Sequence, residues 1–330
     1  MIYDNQAELR DRIAATTHRR PRGDIPVLED TSNYVALTGG MVLRIAASDY
    51  FILGEATEGR FGINEQPKFW VKHAVDLETG GRKVIKLVFH EEFSSDLGFI
   101  TVRCRRSPEK ESAILDLVEG DHRFMQGFTA RDPSGNSVRI IDFIRGPTFF
   151  NSLSRYEEQS HEAYYYQTLP GLLAKLVDSV EALAFLHERG LEHGDVRNDH
   201  IIIETDTDHY RWIDFDYAVN YSDYDVFSMG NILTYAVAGR IITCRDAADC
   251  HVPGQQRCPP LQATDSLMLR GYRLANLKAI YPYIDDALND LLLRFSNGAS
   301  DFFADFPEMT KALRAAIVAA FGPEVLGSDD

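Results

Sequence analysis

The stretch LEHGDVRNDHIII, residues 191–203, sets Asp195 and His200 five positions apart, with His193, Arg197, Asn198 and Asp199 packed among them. Ionisable groups at this density, where an apolar helix-like run meets a run of isoleucines, mark a site more often than a solvated turn. A second carboxylate, Asp214, ends the strand-like run YRWIDF one short hairpin later, and that hairpin would return it towards Asp195. Lys86 sits inside the apolar run KVIKLVF, an expensive place for an ammonium unless a counter-charge meets it. Glu111, on the next helix-like run, is a candidate partner, with Glu109 two positions away as the alternative. A cation on the phosphates, a carboxylate for metal and a carboxylate beside an acceptor hydroxyl are the parts that phosphoryl transfer from ATP requires.

The elements that must position these groups change character along the chain. Residues 1–35 read as an extension: AELRDRIAA as a short helix, then the basic, turn-rich HRRPRGDIP as a solvated arm. From residue 36 to 144 the pattern is of strands. MVLRIAA and YFILGEAT would form a hairpin about Ser48 and Asp49, and FWVKHAVDL and KVIKLVF another about Glu78, Thr79, Gly80 and Gly81. SPEKESAILDLVEG reads as a helix capped by Ser107, opened by Pro108 and stopped by Gly120. FMQGFTA and VRIIDFI are two further strands joined by Asp132-Pro133-Ser134-Gly135. From residue 145 to 330 helices dominate. LPGLLAKLVDSVEALAFLHERG places Leu172, Leu173, Leu176, Val180, Leu183 and Leu186 at helical spacing. IIIET and YRWIDF form a short hairpin, and DVFSMGNILTYAVAG, DDALNDLLLRF and EMTKALRAAIVAAF read as helices.

Bulk composition narrows the partners. With 34 basic against 50 acidic residues the formal net charge is −16, which argues against nucleic-acid binding through a general basic surface. No apolar run approaches a membrane span, and MIYDNQAELRDRIA has no signal-peptide core. A cytoplasmic location is the expectation. Four cysteines in 330 residues do not read as a disulfide scaffold. Cys244, Cys250, His251 and Cys258 could close a tetrahedral zinc site, but they lack Cys-x-x-Cys spacing, so a surface loop with reduced thiols is expected.

Five stretches, in order over about residues 50–320, resemble the protein kinase-like superfamily. VIK at 84–86 is similar to the third-strand lysine motif. FLHERGLEHGDV resembles the long helix running into the catalytic loop, and IDFD at 213–216 the metal-binding Asp-Phe-Gly motif. DVFSMGNIL at 225–233 resembles the helix whose Asp braces the catalytic loop, and RIIDFIRGPTF the hinge. The resemblance implies an α+β bilobal fold, with an N-lobe antiparallel sheet carrying one helix and a mainly α-helical C-lobe. It implies that Asp195 orients or deprotonates an acceptor hydroxyl and that Arg197 reaches the transferred phosphoryl group. Lys86, paired with Glu111, would hold the phosphates, and Val71, fifteen positions earlier, would roof the adenine. Asp142 and Ile144 would offer main-chain groups to the adenine edge. Asp214 would bind metal, and Asp225 would accept bonds from catalytic-loop amides. The implied cofactors are ATP with Mg²⁺ or Mn²⁺.

The chain also departs from that pattern. His200 stands where the family has an asparagine metal ligand; as a ligand an imidazole suits Mn²⁺ or Zn²⁺ better than Mg²⁺, and a purely structural histidine is the other reading. Gly54, Gly59 and Gly62 are displaced from the usual glycine-rich loop, so they either cover the phosphates from a reshaped loop or simply turn between strands. Asp216 replaces the motif's glycine. Nine positions from Asp216 to Asp225 leave no room for an activation segment, as in choline kinases, aminoglycoside phosphotransferases and atypical protein kinases. The spacing from Asp142 to His193 is close to that of ordinary protein kinases. The reading is an ATP-dependent phosphotransferase, an atypical Ser/Thr protein kinase, acting on a protein or small-molecule hydroxyl. A pseudokinase scaffold and a small-molecule kinase are the alternatives.

Overall fold

Alternation of apolar and polar side chains through residues 42–142 is resolved, in the computed structural model, into a seven-stranded sheet. The structure describes residues 2–3, 5–60, 63–97, 100–156, 158–221 and 223–327. Helix α1 (Gln6–Thr17) is followed by strands β1 (Val27–Leu28), β2 (Val42–Ile45), β3 (Ser48–Arg60), β4 (Ile63–Asp76), β5 (Arg82–Lys86), β6 (Glu92–Leu97) and β7 (Ile100–Arg106). Helix α2 (Pro108–Leu117) precedes β8 (Gly127–Arg131) and β9 (Ser137–Asp142). Helices α3 (Phe149–Ser152), α4 (His161–Gln167) and α5 (Leu169–His187) lead to β10 (Ile201–Ile203), β11 (Tyr210–Trp212) and β12 (Tyr217–Val219). The chain closes with α6 (Tyr224–Ala238), α7 (Cys244–Ala248), α8 (Asp286–Leu293) and α9 (Phe306–Phe321). It is a mixed α+β protein of two compact units: Met1–Glu91, Arg106–Asp121 and Met125–Ile144 form the first, and Glu92–Arg105, His122–Phe124 and Arg145–Asp330 the second. No helix among the described residues is long and apolar enough to cross a membrane.

In the first unit the strand order is β1-β2-β3-β4-β5-β9-β8, antiparallel except for the β1–β2 pair. Leu43, Tyr50, Ile52, Val71, Ile85 and Ile140 are among its buried core residues. Within residues 1–35, read from sequence as an extension, Leu9 and Ile13 of α1 are buried against Ile25, Val42, Phe51 and Leu77. Thr31 is tied by its amide and hydroxyl to the Asp132 carboxylate in the β8–β9 turn. The β2–β3 turn falls on Ala46 and Ala47, both left-handed at φ 52° and 58°, two residues before the expected Ser48–Asp49. Asp49 is unavailable for a turn because its buried carboxylate holds Arg44 Nε at 2.8 Å and the Tyr3 amide at 2.9 Å. Helix α2 starts as its sequence dictates, with the Ser107 hydroxyl accepting from the Lys110 amide and Pro108 opening the first turn.

The second unit is mainly helical. Leu169, Leu173, Leu176, Val180, Leu183 and Leu186 form the buried stripe of α5, and α6 is buried along nearly its whole length until Gly239 ends it at φ 69°. Two short sheets belong to this unit. β10 pairs antiparallel with β11, as expected. The other, ordered β12-β7-β6, was not expected from sequence, because β7 finds its partner β12 more than a hundred positions away. The cysteine loop also differs from expectation. Cys250 and Cys258 form a disulfide and Cys244 is free, so the thiols are not all reduced and the zinc set of Cys244, Cys250, His251 and Cys258 is not assembled.

Packing of α6 against the segment after α8 is close enough to test. A Cβ on Gly230 would overlap the buried Phe295 ring and stand 2.8 Å from its Cβ. Gly230→Ala should therefore lower stability by about 1–3 kcal/mol through overpacking, read as a drop in the urea midpoint. Adding Phe295→Leu should recover part of that loss, and a strictly additive double mutant would show that the two positions do not share the space.

Candidate active site

In the first unit the lysine of β5 is placed by strand pairing. Val71 of β4 and Lys86 of β5 are direct cross-strand partners, so their side chains share one face of the sheet. Lys86 Nζ lies 2.5 Å from Glu111 Oε1. The other carboxylate oxygen accepts from Arg139 Nε at 3.1 Å, and all three side chains are buried. Arg139 also donates to the Ser137 and Leu87 carbonyls, which fixes the guanidinium and through it the Glu111 rotamer. Glu111 is thus the partner that α2 turns inward. Arg139 was missed from sequence, although a lone Arg inside the apolar run VRIID is the kind of signal that flagged Lys86. Gly54 lies at a register shift of β3 and Gly59 near the end of that strand, while Gly62 is outside the described residues. The Asp142 amide donates to the Gln126 carbonyl and its carboxylate meets Lys83. Neither the amide nor the carbonyl of Ile144 is engaged by another described residue.

In the second unit the loop after α5 is built around Asp225, near the start of α6. Its buried carboxylate accepts from the His193 amide at 2.6 Å, the Gly194 amide at 2.9 Å and His187 Nε2 at 3.0 Å. Burial alone would raise its pKa, but the His187 bond, the charge of His193 and the Gly194 amide outweigh that and hold the carboxyl below its ordinary value. Gly194 turns at φ 83°, a conformation that favours glycine, and delivers Asp195 immediately beyond the two clamped amides.

Asp195, Arg197, His200 and Asp214 converge there. His200 Nδ1 lies 2.8 Å from the Asp195 carbonyl and 3.6 Å from Asp195 Oδ2, and Nε2 lies 3.7 Å from Asp214 Oδ2. A carbonyl can only accept, so Nδ1 carries the proton and, in the neutral ring, Nε2 presents its lone pair on the side of Asp214. Asp214 itself is left-handed at φ 64°, a strained conformation for a side-chain-bearing residue and one that concentrates at functional sites. Burial raises the Asp195 carboxyl above its ordinary pKa, with Asp214 and Asp199 adding to the effect and His200 and Arg197 opposing it. Arg197 forks onto Asp199 and reaches to 3.9 Å from Asp195 Oδ2. Among the described residues no three His, Cys, Asp or Glu side chains form a metal cluster. A carboxylate and an imidazole 3.7 Å apart are a donor pair for an ion whose remaining ligands are phosphate oxygens and water.

The segment after Asp214 is anchored by the unexpected hairpin. β12 joins β7, the Asn220 amide and side chain bond the Arg103 backbone, and Tyr217 packs with Val102, Cys104 and Leu269. Cys104 lies within electrostatic reach of Asp195: burial, then that carboxylate, push its thiol up to about 11.

No protein-family model matches the chain, and no curated protein matches it. Among solved structures it is similar to the PknI kinase domain of Mycobacterium tuberculosis, at 15% identity over 82% of this chain and 97% of that one, with a TM-score of 0.47. Two double-mutant forms of the same domain give 16% and 14% identity, cover 83% and 85% of this chain and 96% and 99% of theirs, and score 0.49 each. At these identities and TM-scores the likeness is a coarse one and assigns no family.

Two variants test the clamps. Glu111→Gln leaves two buried cations facing a neutral amide and should cost about 3–5 kcal/mol in a denaturant titration. Asp225 has a lowered carboxyl pKa, so its stabilisation is complete above the unfolded value near 3.9 and is lost as pH falls through the folded value. Asp225→Asn should therefore destabilise the protein at pH 7 and flatten the acid limb of its stability curve; an acid limb as steep as that of the unaltered protein would mean the charge is not what the clamp uses.

Proposed function

We propose that this protein is an ATP-dependent phosphotransferase that transfers the γ-phosphoryl group to a hydroxyl, in the manner of an atypical Ser/Thr protein kinase. The observation that carries the reading is His200 set within 4 Å of both Asp195 and Asp214, two carboxylates in different states: one half-buried with a raised pKa, the other on left-handed backbone. A carboxyl pushed upward is the better proton acceptor at neutral pH, so Asp195 takes the acceptor's hydroxyl proton. The acceptor oxygen then bonds to the γ-phosphorus as the bond to the β–γ bridging oxygen breaks, and ADP leaves with that electron pair.

Lys86, held by Glu111, binds the nucleotide's phosphates, Val71 covers the adenine, and Ile144 offers its amide and carbonyl to the adenine edge, with Asp142 supporting the strand that presents it. Gly54 and Gly59 of β3, together with Gly62, would cover the phosphates. Asp214 and His200 hold a divalent ion, Mg²⁺ or Mn²⁺, which when bound neutralises phosphate charge. The imidazole favours Mn²⁺. Arg197 stabilises charge on the transferred group.

Thermal unfolding with ATP alone, with ATP and Mg²⁺ and with ATP and Mn²⁺ tests this. Ligand at one hundred times its dissociation constant adds about 2.7 kcal/mol, so a metal-dependent rise lost in Asp214→Ala is expected, larger with Mn²⁺. Asp195→Asn should keep that rise and lose phosphoryl transfer by about 10²–10⁴-fold. A nucleotide-dependent rise with no transfer in the unaltered protein would favour a pseudokinase scaffold, and no rise under any condition would sink the phosphotransferase reading.

A further inference from the structure

A cavity of about 300 Å³ opens beside the loop that carries Asp195, lined entirely by the second unit. This is the lower end of the range for small-ligand sites. Val196, Arg197, Asn198 and Asp199, the four residues directly after Asp195, all line it.

The lining is basic in a chain of net charge −16. It carries three guanidinium groups, Arg197, Arg270 and Arg273, against one carboxylate, Asp199. Asp199 is already committed, both of its oxygens being taken by Arg197. Arg270 and Arg273 have no carboxylate partner among the described residues, and Arg273 Nε is buried with no hydrogen-bond partner. Buried donors without acceptors are costly. With acidic residues in excess, two arginines left unpaired at one cavity call for an acceptor that comes from outside. The planar guanidinium fork matches carboxylate and phosphate oxygens. Tyr224, in the same lining, lies within electrostatic reach of both Asp195 and Arg270.

We propose that this cavity holds an anionic group of the phosphoryl acceptor itself: the substrate is a hydroxyl compound that also bears a phosphate or carboxylate, gripped by Arg270 and Arg273. The proposal rests on the phosphotransferase reading and narrows it. A cationic metabolite is disfavoured by the same charges. The chemistry fits a small phosphorylated metabolite and an already phosphorylated peptide alike, and the subsite adds binding to the transfer step without changing it.

The test is calorimetric titration of the full chain with inorganic phosphate, with O-phosphoserine, with unphosphorylated serine, and with a five-residue peptide carrying one phosphoserine and one free serine. Phosphate and O-phosphoserine should bind and serine should not. Arg270→Gln/Arg273→Gln should weaken O-phosphoserine at least tenfold, about 1.4 kcal/mol, while the shift given by ATP and metal stays. Should the double variant fail to fold, Arg270→Gln alone carries the same comparison. Tighter binding of the peptide than of O-phosphoserine assigns a protein acceptor; the reverse assigns a metabolite. Phosphate binding that is absent, or unchanged in the variant, overturns the subsite and leaves the phosphotransferase reading intact. Binding lost in the variant, with no effect of ATP and metal on the unaltered protein, overturns the phosphotransferase reading and leaves only an anion site.

Discussion

The Asp225 carboxylate is the constraint on which the second unit depends. It is buried at the start of α6 and accepts from two consecutive amides of the loop at 193–194 and from His187 at the end of α5. Removing a carboxylate from water costs several kcal/mol, and here three donors and the positive end of a helix offset that cost. Helix α5, the loop and helix α6 are thereby joined at one point. Asp195 follows the clamped amides, and His200 is set against Asp195 through its carbonyl, so the positions of both groups descend from Asp225. The rest of α6 serves the same end: it is buried almost throughout and carries a glycine where Phe295 crosses it, which leaves the carboxylate little freedom to move.

The first unit uses the same device, a buried carboxylate, with cations as its donors where the second unit uses amides and an imidazole. One buried carboxylate, Glu111, is divided between Lys86 and Arg139. Arg139 is held in turn by two carbonyls and occupies one oxygen permanently, so the other stays directed at Lys86. Strand register completes the placement, because the pairing of Val71 with Lys86 is fixed by which face of β4 and β5 is buried.

Much of this was legible because it depends on short-range signals. Helices α2, α5, α6, α8 and α9 announced themselves by apolar spacing, caps and stops, and the β8–β9 and β10–β11 hairpins by their turns. The choice of Glu111 over Glu109 follows from the face that α2 buries. The features that escaped depend on distant partners. Arg139 is intelligible only once Glu111 lies opposite, and the shifted β2–β3 turn only once Asp49 has met Arg44 and the Tyr3 amide. EFSSDL and ITVRCRR have weak alternation of their own and become strands β6 and β7 in a sheet that β12 completes. The Cys250–Cys258 pair is likewise a matter of loop path, which spacing does not determine.

That hairpin explains how nine positions between Asp216 and Asp225 suffice. So short a connection has no length in which to fold back on itself, and the β10–β11 sheet does not extend to β12. Residues 92–106 supply the missing partner. β7 gives β12 a strand to pair with, Arg103 bonds Asn220 twice, and Tyr217 closes an apolar cluster with Val102, Cys104 and Leu269. Leu269 also lines the basic cavity, so the cluster that fixes the segment after Asp214 forms part of the wall beside Arg270. Order drawn from backbone pairing and apolar burial does not depend on a charge added to the segment, in contrast to loops that arginines order only after phosphorylation. The geometry about Asp214 and the shape of the cavity therefore share one support, and the same hairpin holds both.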